Sequence, residues 1–178
     1  LRELFSPPWR RPAILGMLLA AVGLATFWGT HIRGKDLLRA AVQQEMATEN
    51  RDDDTPESNA LIKRWEMLGM FLVTTGGGIG LVSFGPICQR IGRRPAFLLF
   101  HLGGFLASVV LFTSHLGRGP LLFALPVFGY LTLGMHAGYA VYFPELFPTR
   151  LRSTGTGFCF NAGRILAAPL MFTRGWMQ

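Results

Sequence analysis

Long apolar runs alternate with short clusters of arginine along this chain. Residues 67–89 contain no Asp, Glu, Lys or Arg, and neither do residues 95–117. Between them lies Gly85-Pro-Ile-Cys-Gln-Arg-Ile-Gly-Arg-Arg-Pro95, a glycine-punctuated basic turn. About 20 mainly apolar residues cross a bilayer at a helical rise of about 1.5 Å per residue. Reading the whole chain by its charge gaps predicts five spanning helices, over residues 13–30, 67–88, 95–115, 121–143 and 154–173. The fifth run is interrupted only by Arg164. As buried core helices of a soluble protein, five such runs would need a larger polar shell than 178 residues supply. The expected fold class is therefore an all-α membrane protein.

The loops between these runs set an expected orientation. Arg2, Arg10 and Arg11 precede the first run, Arg90, Arg93 and Arg94 join the second to the third, and Arg150 and Arg152 join the fourth to the fifth. These segments alternate so as to lie on one side, which the positive-inside rule makes cytoplasmic. The segment 33–64 falls on the other side, where Asp36, Glu45, Glu49, Asp52, Asp53, Asp54 and Glu57 offset its basic residues. An odd number of spans puts the C-terminal end of the chain outside. Within 33–64, Leu38, Ala41, Val42 and Met46 follow Lys35 at helical spacing and predict a short amphipathic helix on the outer face. Thr55 followed by Pro56 reads as an N-cap with proline at the first helical position, so the second long helix is expected to begin in water.

Composition agrees with a membrane location. Half the residues are hydrophobic, 15% are charged and mean hydropathy is +0.35, where a soluble domain carries about 25% charge. The net charge of +7 is scattered between apolar runs and forms no stripe, so it is read as membrane orientation and not as a nucleic-acid surface. Cys88 and Cys159 both fall near expected cytoplasmic helix ends, where free thiols are the rule. No Cys/His spacing suggests zinc. The Asp52-Asp53-Asp54 run lacks the alternating ligands and glycine of a calcium loop and reads as a solvated turn. Gly76-Gly77-Gly78 has no following Lys-Ser/Thr, so it is no phosphate loop. With no nucleophile–base pair in view either, neither a cofactor nor an enzyme activity is expected. Gly76 with Gly80, Gly103 with Ala107 and Gly104 with Ser108 instead have the spacing of helix-packing pairs.

Two motifs carry a family resemblance. The basic turn, G-x-x-x-x-R-x-G-R-R, resembles the loop between helices eight and nine of the major facilitator superfamily, with Gln89 standing where that family usually has aspartate. Tyr142-Phe-Pro-Glu-Leu-Phe-Pro-Thr-Arg-Leu-Arg-Ser-Thr-Gly-Thr-Gly157 resembles the segment after the tenth helix, in the branch of sugar porters and organic-acid symporters. The two lie one helical hairpin apart, as in the family. The resemblance implies that the runs are helices seven to eleven of a twelve-helix transporter. Helices one to six and twelve would lie outside this chain, which starts at Leu1. It further implies a bacterial inner membrane, a partner half of six helices, and a small organic solute moved by alternating access with protons as the coupling ion. A non-transporting sensor or scaffold of the same architecture is the alternative.

Candidate site residues fall in two groups. Gly85 and Gly92 suit close helix approach and a tight turn. Arg90, Arg93 and Arg94 can pair with Glu145 at the end of the fourth run, which by resemblance closes an inner gate; their other reading is topology alone. Arg150 and Arg152 are open to either headgroup contact or a specific salt bridge. Inside the bilayer, Thr132, His136 and Tyr139 share one face of the fourth run. His136 is either a substrate or proton group or a neutral histidine bonded between helices. Trp28 is an interfacial anchor or a cavity wall. Arg164 lies about ten residues into the fifth run, roughly 15 Å deep, where an arginine costs at least ~2.5 kcal/mol to insert. Gly157, Asn161, Arg164 and Ala168 share a face. A guanidinium there suits bidentate capture of a carboxylate, so the expected solute is an organic anion. A structural arginine bonded to carbonyls or to the partner half is the other reading.

Overall fold

In a computed structural model, residues 2–49, 55–114 and 116–172 are described. They form a short 3-10 turn, Arg2–Phe5, and five long helices: α1 Pro7–Thr48, α2 Pro56–Ile91, α3 Arg93–Thr113, α4 Arg118–Glu145 and α5 Arg152–Phe172. No strand occurs among the described residues. Four stretches, Pro7–Trp28 in α1 together with α2, α3 and α4, are long and apolar enough to cross a membrane. The chain is thus an all-α membrane protein. The expected fifth span, α5, is 21 residues long but is not in that set; Arg152, Asn161 and Arg164 lower its hydropathy.

The helix ends follow local chemistry. Pro7 and Pro8 open α1, where a missing N–H costs nothing, and Ser6 takes the N–H groups of Trp9 and Arg10 on its carbonyl. Thr55 caps α2 as its sequence position predicts, its side chain accepting from the Ser58 amide at 3.2 Å. The basic turn is tighter than a loop: α2 ends at Ile91, α3 begins at Arg93, and Gly92 alone joins them at φ 88°. Its amide closes α2 on the Cys88 carbonyl at 3.0 Å. Only glycine adopts that backbone conformation without a Cβ penalty.

The segment after Lys35 differs from expectation. No separate short helix forms, because α1 runs on unbroken to Thr48. At 42 residues α1 has more residues than the about 20 that cross a bilayer. The sequence 33–48 contains no proline, and its one glycine, Gly34, is too weak a breaker to stop a helix anchored by apolar contacts on both sides. The Asp52–Asp54 turn lies outside the described residues.

The chain divides into two compact units. The first, Thr30–Gly134, holds the distal part of α1, all of α2 and α3, and the start of α4. Leu38, Ala41, Val73, Leu111, Leu121, Leu125 and Phe128 form its core, and Val42, Met46 and Ile62 form a satellite of it around Leu61 and Trp65. Here α2 and α4 touch backbone to backbone. A methyl group on Gly76 would strike the Pro126 carbonyl, one on Gly80 the Tyr130 carbonyl, and one on Gly129 the Val73 carbonyl. The Gly76/Gly80 pair therefore packs as its spacing implies. Gly103 is closed by Leu131 at 3.0 Å and Gly104 meets Thr132 at an ordinary 3.6 Å. On the opposite face of α3, Leu98, Leu102, Phe105, Leu106 and Val109 are exposed, as a lipid-facing side requires.

The second unit combines Leu1–Gly29 with Met135–Gln178. Its organising feature is a small-residue groove on α1. Gly16 admits the Cys159 thiol, which a methyl there would meet at 2.6 Å; Ala20 sits against Gly163; Gly23 receives the Tyr139 ring. Gly16, Ala20 and Gly23 recur at helical spacing, so α4 and α5 both press on one stripe of α1. Cys88 and Cys159 are both free thiols.

Candidate functional site

The polar stripe of α4 is divided by the boundary between the units, and each part has its own surroundings. In the first unit, Thr132 is fully buried and donates its hydroxyl to the Phe128 carbonyl one turn back, at 2.8 Å. Such back-bonding satisfies a hydroxyl within its own helix. A polar contact not anticipated from sequence lies nearby: Ser83 of α2 donates to the Tyr130 hydroxyl of α4 at 2.8 Å and reaches the Gly80 carbonyl at 3.2 Å. The same face of α2 borders an open cavity of about 510 Å³ lined by Gly78, Ile79, Val82, Ser83, Pro86 and Arg90.

In the second unit, His136 and Tyr139 are aromatic neighbours. The His136 ring lies 5.1 Å edge-on from Phe27 and 5.5 Å from Tyr139. Tyr139 is fully buried, stacked on Phe143 at 5.3 Å, its hydroxyl 3.5 Å from the Met135 sulfur. Tyr139 thereby fills the notch left by Gly23. Trp28, about half exposed, meets Phe27 at 5.3 Å.

On α5, Asn161 and Arg164 are both exposed, and Asn161 donates its amide to the Gly157 carbonyl at 2.8 Å. Beside Gly157 is open space, with no atom within 4 Å of where a side chain would begin. Opposite this stripe, Cys159, Gly163 and Ala167 are buried, with Gly155 buried nearer the start of the helix. So α5 turns its small buried residues toward α1 and leaves its amide and guanidinium uncovered.

The basic turn presents Arg90, Arg93 and Arg94 as exposed side chains in the first unit. Gly85, one helical turn before the final turn of α2, has open space where a side chain would start. Glu145 is the last residue of α4, in the second unit. The connector that follows is held by several contacts. Phe147 is buried against Gly155, Leu151 bonds the Pro148 carbonyl at 2.9 Å, and Arg152 donates from Nε to the Pro144 carbonyl at 3.1 Å. Arg150 forms an ion pair with Glu3. Of the two arginines, Arg150 makes a salt bridge, with Glu3 as a partner not foreseen from sequence, while Arg152 bonds a backbone carbonyl and no carboxylate among the described residues. The signal of Glu3 was faint: one acid among the basic residues ahead of α1. Among the described residues no cluster of metal-binding side chains occurs.

Comparison with known proteins finds relatives that are named as transporters. A provisionally assigned metabolite transport protein of Haemophilus influenzae is 36% identical over 98 residues, 54% of this chain and 24% of its own length. The inner membrane metabolite transport protein YhjE of Escherichia coli is 30% identical over 66% of this chain and 28% of its own. The cis,cis-muconate transport protein of Acinetobacter baylyi is 31% identical over 68% of this chain and 29% of its own. The chain thus spans about a quarter of the length of the curated relatives it matches. No family model matches it, and no solved structure matches it. The chain is related to the transporters of the major facilitator superfamily.

Proposed function

We propose that this chain supplies helices seven to eleven of a proton-coupled secondary transporter that moves a small organic anion by alternating access. The carrying observation is the exposed Asn161–Arg164 face of α5, a fixed positive charge on the face that is open at Gly157, on a helix whose other side is packed against α1. A guanidinium in a low-dielectric setting pairs strongly with a carboxylate, because its planar fork matches both oxygens. A relative named for cis,cis-muconate, a dicarboxylate, supports that solute class. In this reading the six-helix partner half covers the exposed face and completes the cavity. The residues of α4 take the supporting roles: His136, among aromatic rings, is the group whose ordinary pKa suits proton exchange, while Thr132 and Tyr139 line or brace the pathway.

On the side of the basic turn, Glu145 paired with Arg90, Arg93 or Arg94 forms the inner gate. Gln89 in place of the family's aspartate leaves Glu145 to supply the carboxylate. That side is cytoplasmic in a bacterial inner membrane, with α5 as the fifth span.

The decisive variants are Arg164→Lys and Arg164→Ala in the full-length protein, with solute binding and thermal stability measured separately. Removing one partner of a charged, hydrogen-bonded pair costs about 2–5 kcal/mol, so Ala should weaken binding of the anion at least tenfold with the fold intact. Lys should weaken it less, because it keeps the charge and loses the fork. Collapse of the fold in Ala with normal binding in Lys would make Arg164 a structural residue and overturn the assignment.

A further inference from the structure

We infer that residues 2–5 form a clasp that ties the segment entering α1 to the connector between α4 and α5. Two contacts and one buried side chain converge on this short turn, all inside one compact unit. Leu4 is fully buried although it stands ahead of the first helix. Phe5 meets Phe158 of α5 edge-on at 5.3 Å. Glu3 pairs with Arg150 of the connector. The turn is fixed from its own side as well: the Ser6 hydroxyl and amide both bond the Glu3 carbonyl, at 2.7 and 3.1 Å, and Pro7 and Pro8 stiffen the entry to α1.

The connector offers a rigid counterpart. Arg152 on the Pro144 carbonyl and Phe147 seated on Gly155 hold residues 144–155 in one shape, and Phe143 meets Phe160 at 5.0 Å just beneath. Leu4 supplies the apolar anchor, and the Glu3–Arg150 pair selects the register at which it seats. The clasp thus makes the chain ahead of α1 and the α4–α5 connector one mechanical piece. A displacement arriving along that chain is passed to the end of α4, where Glu145 stands. The role in a transport cycle rests on the transporter reading; the clasp itself does not.

Cys159 is a built-in reporter. Its thiol is buried between Gly16 and the Ala13 carbonyl, next in sequence to the Phe158 that Phe5 touches. In the full-length protein in membrane vesicles, N-ethylmaleimide modification of Cys159 is followed by peptide mass spectrometry. Exposed ion pairs are weak, so Glu3→Arg and Arg150→Glu should each raise the labelling rate about two- to five-fold, and the double charge swap should bring it back. Leu4→Ala, which removes the anchor, should raise it at least tenfold. Thermal unfolding of the swap variant checks that the fold is kept. Unchanged labelling in both single charge variants, or a swap that labels as fast as they do, would overturn the clasp. Solute uptake by the unaltered protein is read separately, so failure of the transporter reading and failure of the clasp are distinguishable.

Discussion

Arg164 and Glu3 mark the two limits of what single residues reveal. Arg164 stands out in sequence because a charge inside an apolar run is expensive, and the structure places it on the uncovered face of α5. Glu3 does not stand out, because nothing in linear order joins it to Arg150, 147 positions away. The same contrast holds for small residues. The spacing of Gly76 and Gly80 announces a packing pair, but the stripe of Gly16, Ala20 and Gly23 mixes residue types and gains its meaning only from Cys159, Gly163 and Tyr139. Close backbone contact makes a definite prediction at this scale. Gly80→Ala drives a methyl into the Tyr130 carbonyl and should destabilise the protein by about 1–3 kcal/mol. Gly104→Ala meets only an ordinary contact and should change stability by no more than about 0.5 kcal/mol. Thermal melts of the two variants in the same detergent make the comparison; equal midpoints would contradict the close α2–α4 packing.

At the scale of elements, charge gaps located the helices but not their full lengths. Gaps report where lipid begins and ends, whereas helices end where capping and backbone chemistry stop them. Thus α2 starts at Pro56, behind the Thr55 cap and eleven residues ahead of its apolar run, and α1 continues through a polar stretch because Leu38, Val42 and Met46 find partners in Leu125, Ile62 and Trp65. At the start of α4, Arg118 binds Glu45 of distal α1 at 3.2 Å and lies 4.8 Å from the Trp65 ring of α2, contacts that no charge gap announces. A second pair, Arg39 with Glu66 at 3.5 Å, joins α1 to α2. Arg118→Ala should therefore destabilise the protein by about 1 kcal/mol through the lost pair and ring contact. A double-mutant cycle with Glu45→Gln should show coupling of about 0.2–1 kcal/mol that shrinks at high salt. Zero coupling at low salt would reduce Arg118 to a topology signal.

For the whole molecule, fold class and family were legible because the constraint is severe: in lipid, apolar runs of this length have few alternatives to helices. Which face of each helix meets which neighbour was not legible, since lipid and protein interiors are equally apolar and the sequence pattern does not separate them. The candidate pathway lies in between: Thr132, His136, Tyr139, Asn161 and Arg164 are conspicuous as polar residues in apolar runs, but their neighbours, such as Phe27 beside His136, are set by tertiary packing that the runs do not show. Transport by the full-length protein, as proposed above, is tested most directly by solute uptake. Full-length protein in proteoliposomes, under an imposed inward proton gradient, should accumulate a dicarboxylate such as muconate above its external concentration and lose that accumulation when a protonophore collapses the gradient. Binding of the solute with no flux under the same gradient would contradict transport and leave a sensor with a transporter's architecture.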